Sequence, residues 1–435
     1  MKINKEKIHF FLHIILVILL ILNKTVDSSI YSVLVLIYAI CLTLISSPEY
    51  LLVSCILTDS IQGYFLITPT LSFSRILSLL YIGGMFWRRK VRLKSNITTV
   101  FFVVFGLYHV LTSFWAITDS FKEAVSFFIG IIMIIFMMGD NNFHIENMRK
   151  LLCFTSYIFI SVIFLSTVTM GGIHGSQIVF DEELNANTIC SAIALFAIVI
   201  HTNFLNKMDK KLWDYIFLGI SILTILIVGS RTSLISLILC MVVCTLILNK
   251  QKGFNWKKIV TFIVIIVGLY FLIVYIMTIN PEVAERFTFQ GSSMKSADRR
   301  FLVWEALIQH VIPQNLLLGV GYGLANVRES VRPYVQYAFH AHNMYLAILA
   351  ETGLVGVSMY VVLFKNIIKK LRANNRKTVN ILWGMFLLAL MLGMGEEMIN
   401  RKWLWLTIGL IFMFSNKNSI RGEKKEFILS NDRRF

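Results

Sequence analysis

Apolar runs of about 15–23 residues recur along the whole chain between short polar breaks, the pattern expected of helices that cross a bilayer. They lie near 8–22, 30–46, 50–67, 72–87, 99–117, 121–139, 150–170, 187–205, 212–229, 231–249, 257–279, 341–365, 378–395 and 400–415. Pro48, Asp59, Gly63 and Pro69 interrupt the region 47–72, which reads either as one helix or as a re-entrant pair. The pattern predicts an all-α polytopic membrane protein with about 12–14 transmembrane helices. It also predicts one large loop over 280–340, the longest stretch without an apolar run.

Composition removes the soluble alternatives. Hydrophobic residues make up 57 % of the 435 positions and charged residues 15 %, and mean hydropathy is +0.73. A chain so poor in polar side chains must be covered by lipid rather than by water. Five prolines and no Pro/Gly/Ser tract leave no linker, so 1–435 reads as a single integral membrane domain. The first apolar segment follows a basic start, as a secretion signal does. It lacks a small-residue cleavage site and leads into further spans, so it reads as retained. Cys41, Cys55, Cys153, Cys190, Cys240 and Cys244 all lie in apolar runs, with neither zinc-site spacing nor the setting of a disulfide framework. Cys240 and Cys244 share a helix face and read as small packing residues.

The net charge of +17 raises the question of nucleic acid. Its distribution answers otherwise. With the N-terminus inside, most of the 41 basic residues fall in cytoplasmic loops and tails, among them Lys2, Lys5, Lys7 and the run Arg88, Arg89, Lys90, Arg92, Lys94. That asymmetry is the positive-inside rule, so the basicity sets topology and requires no nucleic acid. Both termini are expected in the cytoplasm, in a multi-pass protein of the cytoplasmic (inner) membrane, with 280–340 extracytoplasmic.

The polar chemistry gathers in that loop and at neighbouring helix ends. Arg231 stands in Gly229-Ser230-Arg231-Thr232-Ser233, between two apolar runs. Its long stem suits a snorkelling interface anchor; its planar guanidinium equally suits a clamp on phosphate oxygens. Arg299 and Arg300 follow Asp298 and precede an amphipathic stretch through Trp304 and Leu307, either as a solvated helix start or as anion ligands. His342 opens an apolar helix in the sequence His340-Ala341-His342-Asn343. A histidine there is a packing residue or, at the water boundary, a proton acceptor near neutral pH. Two alternating histidines without a nearby cysteine or acid are a weak metal signal, and no metal or other cofactor is expected. Glu351 lies deeper in the same helix, where an ionisable group needs a partner and is a functional candidate or half of a structural pair. Gly319-Val320-Gly321-Tyr322-Gly323 lacks the strand and helix of a nucleotide loop and reads as a tight turn. Arg75 is a further candidate phosphate contact without a motif.

Together these segments resemble the O-antigen ligase and O-antigen polymerase superfamily. The resemblance is carried by Gly319-Val320-Gly321-Tyr322-Gly323 and by the stretch from His342 and Asn343 through Glu351-Thr352-Gly353-Leu354-Val355-Gly356. Gly229–Ser233, Arg299/Arg300 with Trp304, and more weakly Asn185-Ala186-Asn187, agree with it. It covers roughly the last 250 residues of the chain; the N-terminal half is similar only in hydropathy.

The resemblance implies a membrane glycosyltransferase whose donor is a glycan on undecaprenyl diphosphate, used without a nucleotide sugar or a metal. It implies that Arg231 and one of Arg299 and Arg300 hold the diphosphate, that His342 accepts the proton of the attacking hydroxyl, and that Asn343 and Glu351 belong to the substrate site. Expected partners are the lipid-linked oligosaccharide, membrane lipid, a chain-length regulator and a flippase. The pattern leaves polymerase and ligase open. Richness in Ile, Lys, Asn and Phe suits an AT-rich genome, often that of a bacterium without lipopolysaccharide, and tilts the expectation toward capsular or exopolysaccharide polymerisation. A lipid-linked glycan flippase or secondary transporter is the alternative from another class, although no internal repeat supports it.

Overall fold

The computed structural model describes residues 5–26, 28–61, 65–68, 71–88, 96–140, 143–169, 186–206, 212–248, 291–335, 340–374 and 379–414, with scattered positions between 268 and 288. Among these the chain is helical apart from one short hairpin. The helices are α1 (Lys5–Val26), α2 (Ser29–Ile45), α3 (Pro48–Ser60), α4 (Phe73–Arg88), α5 (Ile97–Thr112), α6 (Phe121–Met138), α7 (Ile145–Thr169) and α8 (Ala186–Leu205). They continue as α9 (Leu212–Val228), α10 (Arg231–Leu248), α11 (Gly291–Ala306), α12 (Leu324–Val331), α13 (Met344–Ala373), α14 (Asn380–Leu392) and α15 (Lys402–Phe414). Five of them, α6, α7, α8, α10 and α13, are long and apolar enough to cross a membrane; α2, α4, α5, α9, α14 and α15 are shorter apolar helices. This is an all-α polytopic membrane protein. Of the expected segment 257–279 only scattered positions are described, and each is helical.

Helix ends follow local chemistry. Pro48 occupies the first turn of α3, where its missing N–H costs nothing. Asn96 caps α5 by accepting from the Thr99 N–H at 2.9 Å. In the ambiguous region 47–72, α3 stops at Ser60 and is followed by β1 (Leu66–Thr68) and β2 (Leu71–Ser72), which pair antiparallel. Neither of the two expected forms, one helix or a re-entrant pair, describes it: the β-branched Ile67 and Thr68 favour the extended chain.

The chain forms two compact units interleaved in sequence. The first comprises Met1–Tyr81, Ile145–Asp298 and Trp383–Leu392; the second comprises Ile82–His144, Arg299–Leu382 and Gly393–Phe435. In the first unit α8 is the centre, almost wholly buried and packed by α3, α7, α9 and α10. Arg149 of α7 is buried there and donates to Glu146 at 2.5 Å and to the side-chain oxygen of Asn203 on α8. Cys240 and Cys244 of α10 are free, with sulfurs 3.9 Å apart, and Cys240 also lies 3.5 Å from the carbonyl oxygen of Gly384. They act as small packing groups.

In the second unit α5 packs on α6 and on α13. An aromatic cluster of Phe105, His109, Phe127, Tyr322, Tyr360 and Trp405 fills the space between these elements. The segment 299–335 has a core of its own. Val303, Ala306, Leu307, Val311, Val320, Val327 and Val331 pack with Ala341, Ala347 and Ala350 at the start of α13. The stretch expected as a loop is therefore, in its described part, a folded helical element attached to α13.

Candidate active site

α11 begins at Gly291 and carries Arg299 and Arg300 on successive positions, both half-buried. One turn beyond Arg300, on the same face, Trp304 donates its indole N–H to the carbonyl oxygen of Ala341 at 2.6 Å. Ala341 is fully buried and immediately precedes His342. The arginine helix is thereby pinned to the histidine segment. Of the adjacent arginines, Arg300 acts electrostatically on His342 and on Glu396 and Glu397.

His342 has a φ of 46°, the one positive value for a non-glycine residue among the described positions. Such a conformation is uncommon for a residue with a Cβ and persists where surrounding bonds hold it. Those bonds are present. The His342 N–H donates to Oε1 of Glu397 at 3.0 Å, the Met344 N–H donates to the Gly393 carbonyl at 2.7 Å, and Trp304 holds the Ala341 carbonyl. Burial pushes the His342 imidazole down to about 4, with Arg300 and then His340 adding to the effect. The ring is thus neutral at pH 7 and has a nitrogen lone pair to accept a proton. Burial likewise lowers the Arg300 guanidinium and raises the Glu397 carboxyl. The Glu396 and Glu397 carboxylates oppose the first shift; His340, the His342 N–H and Arg401 oppose the second.

Asn343 is the N-cap of α13. Its side-chain oxygen accepts from the N–H groups of Tyr345 at 3.0 Å and Leu346 at 3.1 Å, and its amide nitrogen lies 3.5 Å from the Met394 carbonyl. Glu351 is 1 % exposed, about 12 Å along the helix from that cap. Its Oε2 accepts from the Gly323 N–H at 3.3 Å, and Oε1 has no hydrogen-bond partner among the described residues.

The second unit therefore holds Arg300, His342 and Asn343 near the start of α13, and Glu351 deeper in that helix against Gly323. Arg231 belongs to the first unit, where it opens α10 directly after the turn at Gly229 and Ser230. Ser230 donates to the Asn187 side-chain oxygen at 2.8 Å, which joins two of the sequence segments that carried the resemblance. Arg75 is an exposed residue of the first unit. Sequence reasoning passed over Glu396, Glu397 and Arg401; their signal is a cluster of charge between two apolar runs, and Arg401 lies 3.9 Å from Glu396. Among the described residues no group of three or more His, Cys, Asp or Glu is arranged to hold a metal ion.

Arg300 and His342 stand on two segments tied by one hydrogen bond, and arginine and histidine are the residue types suited to anion binding and proton transfer. Residues 216–361, from α9 into α13, match the sequence model of a family described as O-antigen ligase. The matched stretch holds Arg231, Arg299, Arg300, His342, Asn343 and Glu351, and it is this part of the chain that is similar to that family. No curated protein matches the chain.

Proposed function

We propose that this protein polymerises undecaprenyl-diphosphate-linked oligosaccharide repeat units into capsular, exopolysaccharide or O-antigen chains at the outer face of the cytoplasmic membrane. The observation that supports the reading is the bond from Trp304 to Ala341, which ties the helix bearing Arg300 to the segment bearing His342 within the stretch that matches the family. In the reaction, an acceptor sugar hydroxyl attacks the anomeric carbon of the donor. The bond from that carbon to the diphosphate oxygen breaks, its electron pair leaves with the diphosphate, and the configuration inverts. The hydroxyl proton passes to the neutral His342 ring. Arg300 stabilises the charge that grows on the leaving diphosphate. Arg231, on the resemblance alone, is a second phosphate contact. Asn343 and Glu351 act as supports of the site, the first by capping α13 and the second by holding the Gly323 N–H. The substrate stays in the membrane throughout, which suits a multi-pass enzyme. A chain-length regulator and a flippase are the partners this reading implies.

The description of the matched family favours a second reading, transfer of a finished glycan to a final acceptor. The glycan profile of a deletion strain, complemented with wild type or with His342→Ala, decides between them. Single lipid-linked repeat units without long chains, relieved only by wild type, are the polymerase result. Long chains retained on the carrier are the ligase result. An unchanged profile would overturn both and favour the transporter.

A further inference from the structure

α13 is two helices rather than one. Gly353 has φ 60° and ψ −166°, a conformation essentially restricted to glycine, and it divides the helix into 344–352 and 354–373. In an unbroken helix the N–H groups of Leu354 and Val355 would donate to the carbonyls of Ala350 and Glu351. They donate instead to the carbonyls of Leu316 at 2.9 Å and Leu317 at 3.2 Å. The released carbonyls of Ala350 and Glu351 accept from the N–H groups of Val320 at 2.8 Å and Gly321 at 3.0 Å. The Thr352 carbonyl accepts from the Tyr108 hydroxyl at 2.7 Å. The segment 316–321 is thus spliced into the break: four backbone groups that a helix would pair with one another in two bonds make four bonds with it instead.

Two glycines permit this approach. A Cβ on Gly353 would fall on the Leu317 carbonyl; a Cβ on Gly319, at φ 72°, would fall on the Glu351 carbonyl. Buried backbone groups without partners are costly, especially away from water, so the break and the splice exist only together. The half-helix 344–352 has the Asn343 cap and His342 at one end and the splice at the other. Its far end is fixed to 316–321 rather than only to the rest of α13.

We infer that Gly319 and Gly353 are positioning residues: by splicing 316–321 into the broken helix they set the place of the half-helix that presents His342, and so the rate of glycosyl transfer. This rests on the proposed role of His342. The chemistry tolerates little error, since a displacement of about 1 Å costs about a hundredfold in rate.

The full-length protein in membranes, supplied with a polyprenyl-diphosphate-linked oligosaccharide, tests it with Gly353→Ala, Gly319→Ala and Leu354→Pro. The two alanine variants are expected to lose about a hundredfold in kcat with little change in donor KM. Wild-type kcat in a folded Gly353→Ala would overturn the inference. Leu354→Pro addresses the break itself. Proline is tolerated at the first position of a helix but not in the middle of one. This variant is expected to insert but, having lost the N–H that donates to the Leu316 carbonyl, to fall in kcat as the alanine variants do; wild-type kcat would overturn the splice. A readout free of turnover is the rate at which a membrane-impermeant maleimide labels His342→Cys, above the background of the native cysteines. A several-fold change on adding Gly353→Ala is expected, and an unchanged rate would overturn the positioning role. Should wild type transfer no glycan while labelling responds to Gly353→Ala, the glycosyltransferase reading fails and the positioning of residue 342 stands.

Discussion

The indole N–H of Trp304 donates to the carbonyl oxygen of Ala341 at 2.6 Å, and this single bond links the helix bearing Arg300 to the residue before His342. Trp304→Phe keeps the ring and removes the donor. It leaves a buried carbonyl without that partner, at a cost of about 1–3 kcal/mol. Transfer should fall about tenfold while the protein remains inserted, measured as initial rate per inserted molecule; an unchanged rate would separate the tryptophan from the site.

The His342 imidazole lies low, at about 4, because it is buried beside Arg300. The neutral, proton-accepting form therefore dominates above that value. At limiting donor, which reports the free enzyme, the rate should be level through neutral pH and fall only as pH drops toward 4. A bound diphosphate offsets the Arg300 charge and raises the imidazole, so the acid limb of kcat should lie at higher pH than that of kcat/KM. Coincident limbs would contradict the assignment. The same shift has a sign for stability. Between the ordinary histidine value and about 4 the unfolded chain binds the proton more readily, so this contribution is lost as pH falls through that window.

Glu397 holds the His342 N–H through Oε1. Glu397→Gln preserves an acceptor of the same reach and should keep activity within about threefold, whereas Glu397→Ala removes the acceptor and should lose about tenfold, the equivalent of one backbone hydrogen bond. Equal losses in the two variants, read from initial rates, would show that charge rather than backbone support matters at this position.

For the arginines, Arg300→Lys and Arg231→Lys retain the charge and lose the planar pair of donors. Both should reduce transfer about a hundredfold, each assayed with the lipid-linked donor. Full activity of Arg231→Lys would reduce that residue to an anchor at the start of α10.

Much of the architecture was legible from one-dimensional pattern. Apolar runs gave the helices α1 to α10 and α13 to α15, with ends that differ by up to about eight residues, but not α11 and α12, because a bilayer demands that backbone groups be satisfied inside each spanning segment. The 280–340 segment was legible as polar, mixed in charge and either functional or a small folded cap, but not in the positions that form its core. Its core positions Val303, Leu307, Val311 and Val331 acquire meaning only against Ala341, Ala347 and Ala350. Asn343 was visible as a polar neighbour of His342; that its oxygen is committed to a helix cap emerges from the backbone geometry. Glu397 escaped notice because its partner is fifty-five positions away, and nothing in either local sequence announces a bond between a carboxylate and a distant main-chain N–H.

Composition, run length and side-chain ionisation were enough to establish the membrane class, the apolar helical segments and the residue types suited to phosphate and proton chemistry. The sequence also held the glycines of 319–323 and Gly353, without their meaning. The three-dimensional fold settled that α13 is broken and that 316–321 completes its hydrogen bonds. Those outcomes depend on which distant backbone groups meet. Hydropathy constrains a helix's surroundings but leaves its neighbours to be chosen by packing and by the requirement that buried N–H and carbonyl groups find partners.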